Sequence, residues 1–570
     1  MKPASHIRAI AVWRWPAIAL LLAVIWLPAS AQTAAGSVKY SAGSGAGLYR
    51  IAGTVVNDQT GEPLQHATVA VLAEADSHTV ESVETGSDGR FSLPRLPAAK
   101  YQLTASKRGF RTAFYDEHQE FSTAVVTGPG QETERLVFRM MPSSVLHGAI
   151  TGDGGDPVEG AKVMLFLVPP DHGHVAARGR GPNERVRQVE SATSDDTGAY
   201  EFSNLAAGKY MLAVTAEPWY ALHLSSVGSR AAPGSGASAA LDVAYPVTFF
   251  DSTTEEASAT PIVLAAGSRE EANVVLHPAP ALHIFVQVPR EHGNFNGLVP
   301  PPSMRRSVFG TPISSDAQFS QNPAVSSVAE FTGVAPGHYE LQQGNPPRIV
   351  DLDAATSQQV DPADGIPTVT VSGDLAGAFG AALPDDMTVI LSSLDNGQRQ
   401  DQQASAHKGH FRFETVLPGK WELQAWGPAG PFAVVSVTAN GATRGGNALT
   451  VADRALTITA ALAQGETRVE GFARKDGKGF AGAMVVLAPK NKAAFQALVR
   501  RDQSDSDGSF SLRDAVPGQY IVVAIEDGWK LDWSRPEVLG RFLPKGVPVT
   551  VTETSGKTIQ LSDPIAVQTQ

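Results

Sequence analysis

Residues Ser504–Val522 read SDSDGSFSLRDAVPGQYIV and contain the pattern that decides the fold. Apolar and polar residues alternate through Phe510-Ser511-Leu512, which is the period of a half-buried β-strand. Asp507-Gly508 precedes this strand and predicts a hairpin turn, because glycine accepts the positive φ of such turns. Pro517-Gly518 ends the strand and redirects the chain, and Tyr520 begins a new strand. The stretch therefore predicts two strands separated by tight turns.

This pattern has four relatives upstream, which lie about one small domain apart. They are SDGRFSLPRLPAAKYQL (Ser87–Leu103), DTGAYEFSNLAAGKYML (Asp196–Leu212), VAEFTGVAPGHYEL (Val328–Leu341) and KGHFRFETVLPGKWEL (Lys408–Leu423). An aromatic residue follows the second turn of every copy, at Tyr101, Tyr210, Tyr339, Trp421 and Tyr520. It shares a face with apolar neighbours at period two, so we predict that it lies in a core and bonds nearby backbone, like the corner tyrosine of β-sandwiches.

A second element precedes the clearest copies of the pattern. It reads GTVVNDQTGEPLQHATVAVL (Gly53–Leu72), GAITGDGGDPVEGAKVMLFL (Gly148–Leu167) and GFARKDGKGFAGAMVVLAP (Gly471–Pro489). Each version is a strand, a polar Gly/Asp turn and a strand with a β-branched residue. Short strands at regular spacing with turn signals predict antiparallel β-sandwiches. We therefore predict an all-β chain of about five tandem sandwich modules, with helix confined mainly to NKAAFQALVRRD (Asn491–Asp502).

Together the two elements resemble the carboxypeptidase regulatory-like domain, which is grouped with transthyretin-like, starch-binding-like and other carbohydrate-binding-like folds. The first copy matches this pattern at Gly53, Gly61, Pro63, Ala67, Val69, Asp88, Gly89, Phe91 and Tyr101. The last copy matches it at Gly471, Ala483, Val485, Asp507, Gly508, Phe510, Gly518 and Tyr520. The resemblance implies β-sandwiches of roughly one hundred residues each, repeated in an exported bacterial protein.

The repeats also divide the chain into segments. We expect a signal peptide at 1–31, a flexible Gly/Ser/Ala linker at 32–47 and five β-sandwiches, at 48–142, 143–280, 281–364, 365–465 and 466–570. The second sandwich carries a loop insertion, the third is divergent and rich in proline, and the first and fifth are the most similar to the regulatory-like pattern.

The N-terminus has the composition of a secretory signal. Lys2, Arg8 and Arg14 form a basic region, residues 17–27 are all apolar, and Ala29-Ser30-Ala31 supplies the small residues that a signal peptidase accepts. The apolar run is shorter than the ~20 residues of a membrane span. We expect cleavage near Ala31, a secreted or periplasmic location at the cell envelope, and no transmembrane span in the mature chain.

Charge and cysteine content exclude several classes of function. The formal net charge is −12, and removal of residues 1–31, which contain three basic and no acidic residues, makes it −15. Nucleic-acid binding requires clustered basic residues, so a nucleic-acid partner is not expected. The chain has no cysteine, which excludes disulfides, thiolate zinc sites and cysteine nucleophiles.

Two acidic stretches are candidate metal sites. Asp505-Ser506-Asp507-Gly508 could begin a calcium loop, but its twelfth position is Val516 where a bidentate Glu is needed. The fourth copy has Lys408-Gly409 at the corresponding turn, without an acid. Asp171-His172-Gly173-His174 follows two prolines, and no further ligand follows at a zinc spacing. We predict neither a metal nor a cofactor.

Aromatic residues outside the repeated positions are the predicted ligand-binding residues. They are Trp219, Tyr220, Tyr245 and Phe250 in the second domain and Trp529 and Trp533 in the fifth. Trp219 follows Glu217-Pro218 and should lie at a strand end or in a loop, where binding residues concentrate. Aromatic rings bind sugar faces because they combine apolar area with polar edges. The alternative is a local core beneath a long loop.

No sequence motif of a catalytic site is present: neither a His-x-x-Glu zinc motif, nor a Gly-x-Ser-x-Gly elbow, nor a phosphate-binding loop. We therefore predict an exported, non-catalytic binding protein whose ligand is a polysaccharide or another cell-envelope component. A protein partner could also pair with the sheet edges. Two alternatives stay open, namely a structural spacer or adhesion stalk, and an enzyme with an unrecognised site in the middle domains.

Overall fold

The structure is a computed structural model, and its regular secondary structure is almost entirely β-strand, which confirms the predicted all-β fold class. The described residues are 48–74, 77–169, 186–222, 240–288, 301–315, 317–321, 328–344, 347–394, 401–428, 430–491, 495–533, 535–552 and 557–570. The signal peptide and the linker predicted for residues 1–47 lie outside them.

The first domain has two sheets around an apolar core. Strand order is β4-β1-β8 in one sheet and β3-β2-β5-β6 in the other, where β7 also pairs with β5. Alternate residues such as Phe91 and Leu93 face the core between them. The strands are β1 (Tyr49–Asn57), β2 (Thr68–Ala73), β3 (Thr79–Glu84), β4 (Arg90–Leu96), β5 (Lys100–Ser106), β6 (Ala113–Phe114), β7 (Val125–Val126) and β8 (Leu136–Met140).

The second domain repeats this arrangement. One sheet has the order β11-β10-β13-β15 with β16 beside β13, the other has β12-β9-β17 with β18 beside β9, and β14 pairs with β19 at the boundary to the third domain. The strands are β9 (Ser144–Gly152), β10 (Lys162–Val168), β11 (Arg187–Thr193), β12 (Ala199–Leu205), β13 (Gly208–Thr215), β14 (Val243–Ala244), β15 (Thr248–Phe249), β16 (Ile262–Leu264), β17 (Arg269–Glu271), β18 (Val274–Leu276) and β19 (Ala279–Pro280).

The third domain is also a sandwich, with sheets β23-β24-β20-β27 and β22-β21-β25-β26-β28. Because β28 pairs with β26, the domain extends to Pro367, past its predicted end at 364. The strands are β20 (Leu282–Gln287), β21 (Ser303–Val308), β22 (Thr311–Ser314), β23 (Gln318–Gln321), β24 (Val328–Val334), β25 (Gly337–Gly344), β26 (Pro347–Ala354), β27 (Gln358–Val360) and β28 (Ile366–Pro367).

The fourth domain joins its strands into one sheet of order β35-β34-β37-β29-β32-β31-β30-β33-β36. An additional pairing of β34 with β33 closes this sheet on itself, so the core lies inside a ring of strands. The strands are β29 (Val369–Gly377), β30 (Asp386–Ser393), β31 (Gln402–His407), β32 (His410–Val416), β33 (Gly419–Gly427), β34 (Gly430–Ala439), β35 (Ala442–Gly445), β36 (Ala448–Val451) and β37 (Leu456–Ala463).

The fifth domain pairs β38 with β42 and β45 on one side and β43 with β40 and β44 on the other, with β46 bridging β38 and β43. Its strands are β38 (Thr467–Lys475), β39 (Lys478–Gly479), β40 (Met484–Pro489), β41 (Arg500–Gln503), β42 (Ser509–Ala515), β43 (Gly518–Ile525), β44 (Val547–Val551), β45 (Thr558–Gln560) and β46 (Ile565–Gln568), and its helices are α1 (Phe495–Leu498) and α2 (Pro536–Gly540). The helix predicted for residues 491–502 is therefore wrong in its extent, since the α-helix is only four residues long and residues 500–503 form a strand.

The repeated aromatic residue has the same role in all five domains. Each ring is buried, and its polar atom donates a hydrogen bond to the backbone carbonyl four residues earlier. The Tyr520 hydroxyl bonds Val516 O at 2.7 Å, and even the indole Nε1 of Trp421 bonds Leu417 O at 3.0 Å. The prediction of a core-facing corner residue is confirmed. The bond fixes the turn at which the chain crosses to the next strand.

The Asp-Gly turn before the first strand differs from the prediction of a hairpin. In the fifth domain it connects β41 to β42, which pair with β40 and β38 respectively and therefore belong to opposite sheets. Gly508 has φ +85°, and a Cβ there would overlap the Ala473 carbonyl oxygen. In the fourth domain, by contrast, β31 and β32 do pair, across Lys408-Gly409 with both φ values positive, as a two-residue hairpin requires. The turn of the opening stretch is a corner between sheets.

The five domains make a closed circuit of contacts. Gln59 bonds Ala266 O between the first and second domains, and apolar residues join the second to the third, the third to the fourth, and the fourth to the fifth. The fifth domain then contacts the first, where Lys100 and Asp505 form an ion pair. The chain thus returns to its first domain, although the two ends of this contact are 405 residues apart.

Candidate functional site

An open cleft lies between the second and third domains. It is open to solvent. One wall comes from the segment after β13 and from β14, and the other from strands and loops of the third domain. The lining residues are Ala216, Glu217, Pro218, Ala244, Tyr245, Arg306, Ser315, Ala317, Gly333, Ala335 and Tyr339. Because each wall belongs to a different domain, the width of the cleft depends on how these domains contact each other.

Trp219 stands at the rim of this cleft, directly after the lining residues Glu217 and Pro218. Its side chain is 93% exposed, and the turn that carries it is closed by a 2.9 Å bond from Ala221 N to Pro218 O. Apolar rings of this size are normally buried, so a ring left almost wholly in water is an informative exception. The predicted loop position of Trp219 is thus what the structure shows.

Tyr220 and Tyr245 connect this ring to the wall of the cleft. Trp219 contacts Tyr220 edge-to-face with ring centroids 5.6 Å apart. The Tyr220 and Tyr245 hydroxyls share a hydrogen bond, and burial, together with Tyr220 and Asp153, raises the pKa of Tyr245 to about 12. Tyr245 itself is buried in the core of the second domain. Tyr220 and Tyr245 therefore support the rim, and only Trp219 offers an exposed face.

The cleft also carries polar groups on both walls. Glu217 lies on the wall of the second domain, and Arg306 and Ser315 lie on the wall of the third. A carboxylate, a guanidinium and a hydroxyl together supply both donors and acceptors. An apolar surface with a few convergent polar groups is the usual composition of a site for a small organic ligand.

Phe250 does not belong to this site. It is partly buried against the core of the second domain, and its backbone forms a 3.1 Å bond to Leu212 O and accepts a 2.7 Å bond from Thr260 N. It is not among the residues that line the cleft. Its prediction as a ligand-binding residue is therefore corrected to a packing role next to β13.

Trp529 and Trp533 are likewise core residues, which corrects their prediction as stacking rings. Both are buried in a second apolar cluster of the fifth domain. Trp529 stacks on His118 of the first domain with centroids 5.5 Å apart, and the buried Arg501 guanidinium lies 3.6 Å from the centre of the Trp533 ring. These rings pack against the first domain and against a cation, so neither has a face available for a sugar. Trp529 and Trp533 therefore fit the alternative given from the sequence, in which such aromatic residues form a local core.

Arg501 also bonds the first domain directly. Its guanidinium donates to Gln119 Oε1 at 2.8 Å and to Glu120 Oε1 at 3.1 Å, and it lies 5.1 Å from the centre of the Phe121 ring. Arginine suits such a place because its planar head can stack on rings and bond carboxylates at once. Trp529 and Trp533, which were predicted to bind a ligand, thus belong to the contact between the first and fifth domains.

Asp505 of the opening stretch forms the second part of this contact. It accepts a 2.6 Å bond from Lys100 Nζ and a 3.0 Å bond from Ala124 N, and Ser506 Oγ accepts a 2.8 Å bond from Val126 N. Burial raises the pKa of Asp505 to about 6, although the Lys100 ammonium acts in the opposite direction. The acidic turn holds a neighbouring domain through these bonds. Among the described residues no group of three or more His, Asp or Glu side chains is placed to hold a metal, and the Asp171–His174 segment lies outside them.

One polar cluster escaped sequence reasoning altogether. His283 lies between Asp242 and Glu330, with a distance of 2.8 Å from each of its ring nitrogens to a carboxylate oxygen. The three residues are 41 and 47 positions apart along the chain and follow no motif. No signal in a single sequence could have brought them together, because His283 and Glu330 meet only through the pairing of β20 with β24, and Asp242 reaches them only where the second and third domains meet.

Comparison with known proteins places the start of the chain in a family. Residues 50–140 match the family model of the carboxypeptidase regulatory-like domain. The first domain is a carboxypeptidase regulatory-like domain. The resemblance inferred from Gly53, Asp88, Phe91 and Tyr101 is therefore confirmed for this regulatory-like domain, which supplies Lys100 and Ala124 to the contact with the fifth domain. A search of curated proteins finds no match to the sequence.

Three solved structures resemble all or part of the chain distantly. The Bacillus anthracis TIE protein is 10% identical over 94% of this chain and 74% of its own, with a TM-score of 0.16. GBS52, the minor pilin of Streptococcus agalactiae, is 13% identical over 43% of this chain and 100% of its own, with a TM-score of 0.19. The shaft pilin SpaA of Lactobacillus rhamnosus GG is 11% identical over 41% of this chain and 98% of its own, with a TM-score of 0.18. Scores this low support no argument about function. Within the described residues no helix is long and apolar enough to span a membrane.

Proposed function

We propose that the chain is an exported, non-catalytic binding protein of the cell envelope, and that the cleft between its second and third domains binds carbohydrate. The observation that carries this proposal is the 93% exposure of the Trp219 side chain at the rim of the cleft. The cleft itself is lined by both apolar and polar residues. An exposed indole offers apolar area that a partner can remove from water. A sugar ring, with an apolar face and hydroxyl edges, is such a partner.

The composition of the cleft suits the edges of a sugar. Hydroxyl groups both donate and accept, and Glu217, Arg306 and Ser315 provide acceptors and donors on facing walls. We therefore expect a sugar ring to stack on Trp219 while the hydroxyl groups at its edge reach the polar groups of the cleft.

One feature of the sequence supports the envelope location, and another supports the carbohydrate ligand. The basic, apolar and small-residue segments of residues 1–31 have the order of a secretory signal. The first domain also belongs to a family that is grouped with carbohydrate-binding-like folds, which is support by analogy, since function belongs to a site and not to a fold. The ligand assignment therefore rests on the cleft and on Trp219.

The closed circuit of domains favours binding over the spacer alternative. A spacer or stalk gains reach when its modules extend in line, so that its two ends are far apart. Here the first and fifth domains are held together by the Lys100–Asp505 ion pair and by the rings around Arg501. This arrangement shortens the distance that the five domains can span, which does not suit a spacer.

A polysaccharide array with residues 32–570 tests the proposal. Trp219→Ala should weaken binding by at least about 2 kcal/mol, which is roughly 30-fold, as expected for a central aromatic contact. Phe379→Ala is the matched control, since Phe379 is also an exposed ring, 42% accessible, but lies in the fourth domain. Equal binding by the two variants, or an absence of binding by the parent chain, would contradict the proposal. Turnover of a glycan on the array would instead establish the enzyme alternative.

A further inference from the structure

The cluster of Asp242, His283 and Glu330 lies at the boundary of the second and third domains. The side chains of these residues are 13%, 21% and 0% exposed, respectively. Asp242 belongs to the second domain, whereas His283 on β20 and Glu330 on β24 belong to the third. The contact between Asp242 and His283 therefore crosses from one domain to the other.

The geometry suits a doubly protonated imidazole between two carboxylates. A neutral imidazole carries one N–H, so it can donate to one carboxylate only. Here Nδ1 lies 2.8 Å from Glu330 Oε1 and Nε2 lies 2.8 Å from Asp242 Oδ2, so both nitrogens face acceptors. Burial lowers the pKa of His283, but the hydrogen bonds and charges of Glu330 and Asp242 outweigh burial and raise it above the ordinary value.

The other elements around His283 add no further charge. The remaining residues of β20, those of β27 beside it and those of β24 other than Glu330 are uncharged. Ser357 Oγ accepts a 2.9 Å bond from the backbone N of His283, and Phe285 lies parallel to its ring at 6.3 Å. The charge state of this cluster thus depends on one imidazole and two carboxylates.

The cluster lies directly behind the cleft. Asp242 is followed by Ala244 and Tyr245, which line the wall of the second domain. Glu330 is followed on the same chain segment by Gly333 and Ala335, which line the wall of the third. Ala244 and Ala335 also pack together in one small apolar cluster. The imidazole therefore connects the two chain segments that form the two walls.

We propose that protonation of His283 sets the spacing of the two cleft walls, so that the proposed carbohydrate site is pH-dependent and binds most tightly when the imidazole is charged. This regulation rests on the proposed function for its ligand, but the change in wall spacing does not. Deprotonation removes the charge of the imidazole and one of its two N–H donors, which weakens the contact between the domains. Other contacts at this boundary, such as the bond from Ala281 N to Asp242 O, the bond from Phe309 N to Glu256 and the apolar packing, do not depend on the charge of His283.

The direction follows from the raised pKa. A histidine whose folded-state pKa lies above its unfolded value of about 6.5 contributes its full stabilisation below that value. The contribution disappears as the pH rises through the folded-state pKa. We therefore expect the boundary to be tight in mildly acidic solution and to loosen in the alkaline range.

Distance measurements can test this without a ligand. The chain has no cysteine, so Lys209→Cys and Asp351→Cys introduce two unique labelling sites on exposed positions of the second and third domains. Double electron–electron resonance between the spin labels should show a shifted or broadened distance distribution on going from about pH 5.5 to about pH 8.5. His283→Gln should give the alkaline distribution at every pH, because glutamine carries no charge. His277→Gln is the matched control, since His277 pairs with Asp153 within the second domain.

Binding of cellohexaose and chitohexaose over the same pH range provides the second readout. If either binds, its affinity should fall by about tenfold, the factor expected for one charge-assisted hydrogen bond, and His283→Gln should abolish this pH dependence. A pH-independent distance distribution, or one that still shifts in His283→Gln, would overturn the inference. A pH-dependent distance without binding of any array glycan would refute the carbohydrate proposal and leave the histidine contact established.

Discussion

Replacement of Asp505 by alanine should separate the first domain from the fifth. The substitution removes the acceptor of Lys100 Nζ at 2.6 Å and of Ala124 N at 3.0 Å. Both ends of the ion pair are largely shielded from water, so the effect is not that of a surface salt bridge. The ammonium of Lys100 would stay in a buried place without this counter-ion.

The magnitude follows from that burial. Removal of one partner of a buried ion pair costs about 3–5 kcal/mol, because the other charge is left uncompensated. Glu74 and Asp507 also act on Lys100 and reduce the loss, so we expect the lower end of that range. A loss of about 3 kcal/mol lowers the equilibrium constant for docking by more than roughly 100-fold. The Arg501 contacts, the bonds of Gln503 to Asp116 and Thr123, the Arg513–Glu74 ion pair and the bond from Val126 N to Ser506 would then hold the interface.

Small-angle X-ray scattering on residues 32–570 measures this effect directly. At about pH 8 the Asp505 carboxylate of the parent chain is ionised, and opening of the closed circuit should increase the radius of gyration of the variant. Asp195→Ala is the matched control, because Asp195 holds the corresponding position in the second domain and bonds only its own turn, through Thr197 and Ala199. Equal radii and equal thermal transitions for Asp505→Ala, Asp195→Ala and the parent would refute the reasoning.

Two further predictions concern the repeated framework. Tyr520→Phe removes the buried hydroxyl that bonds Val516 O and should cost about 1–3 kcal/mol, whereas Tyr520→Ala should cost about 3–5 kcal/mol, both read from thermal unfolding of the fifth domain; identical transitions for the two variants would contradict a role for the hydroxyl. Gly508→Ala should destabilise this domain by about 2 kcal/mol or more, because the new Cβ meets backbone at positive φ. Gly477→Ala is its control, since Gly477 has φ +76° but nothing within 4 Å of the added Cβ, and an equal loss from both would show that the clash is unimportant.

The sequence predicted well those features that depend on neighbours along the chain. Alternation identified the strands around Phe510 and Leu512, and the Pro-Gly turn with its aromatic residue identified the corner that recurs in every domain. Both signals are local, since period two places side chains on one face and the corner bond spans four residues.

Features that depend on another domain were not predictable. Trp529 is buried because His118 and Phe121, which lie far away in the sequence, cover it. Residues 500–503 have good helix propensity but form a strand, because Arg501 is drawn among the rings at this contact and alternates with Arg500 and Asp502 in burial. Propensity is a weak prior, and tertiary contacts override it here.

The Asp-Gly turn shows the same limit at a smaller scale. Glycine at positive φ is required both in the two-residue hairpin at Gly409 and in the corner at Gly508. The residue type therefore reports the backbone conformation and not which strands pair across the turn. That choice depends on the sheets to which the flanking strands belong, and these are set by partners elsewhere in the chain.

Comparison of equivalent positions in this turn separates framework from function. Thr85, Ser194 and Ser504 occupy one position, and each hydroxyl accepts a bond from the small residue at the start of the central strand and donates to a loop carbonyl. The next position changes from Gly86 to Asp195 to Asp505, and only Asp505 meets another domain. The first position keeps a hydroxyl in these three domains because the hydroxyl holds the same turn in each of them. The second position is not needed for that turn and can therefore form a contact with another domain. Trp219 and His283 also lie outside the repeated positions, so the features that distinguish this chain from a simple array of sandwiches lie where its domains differ.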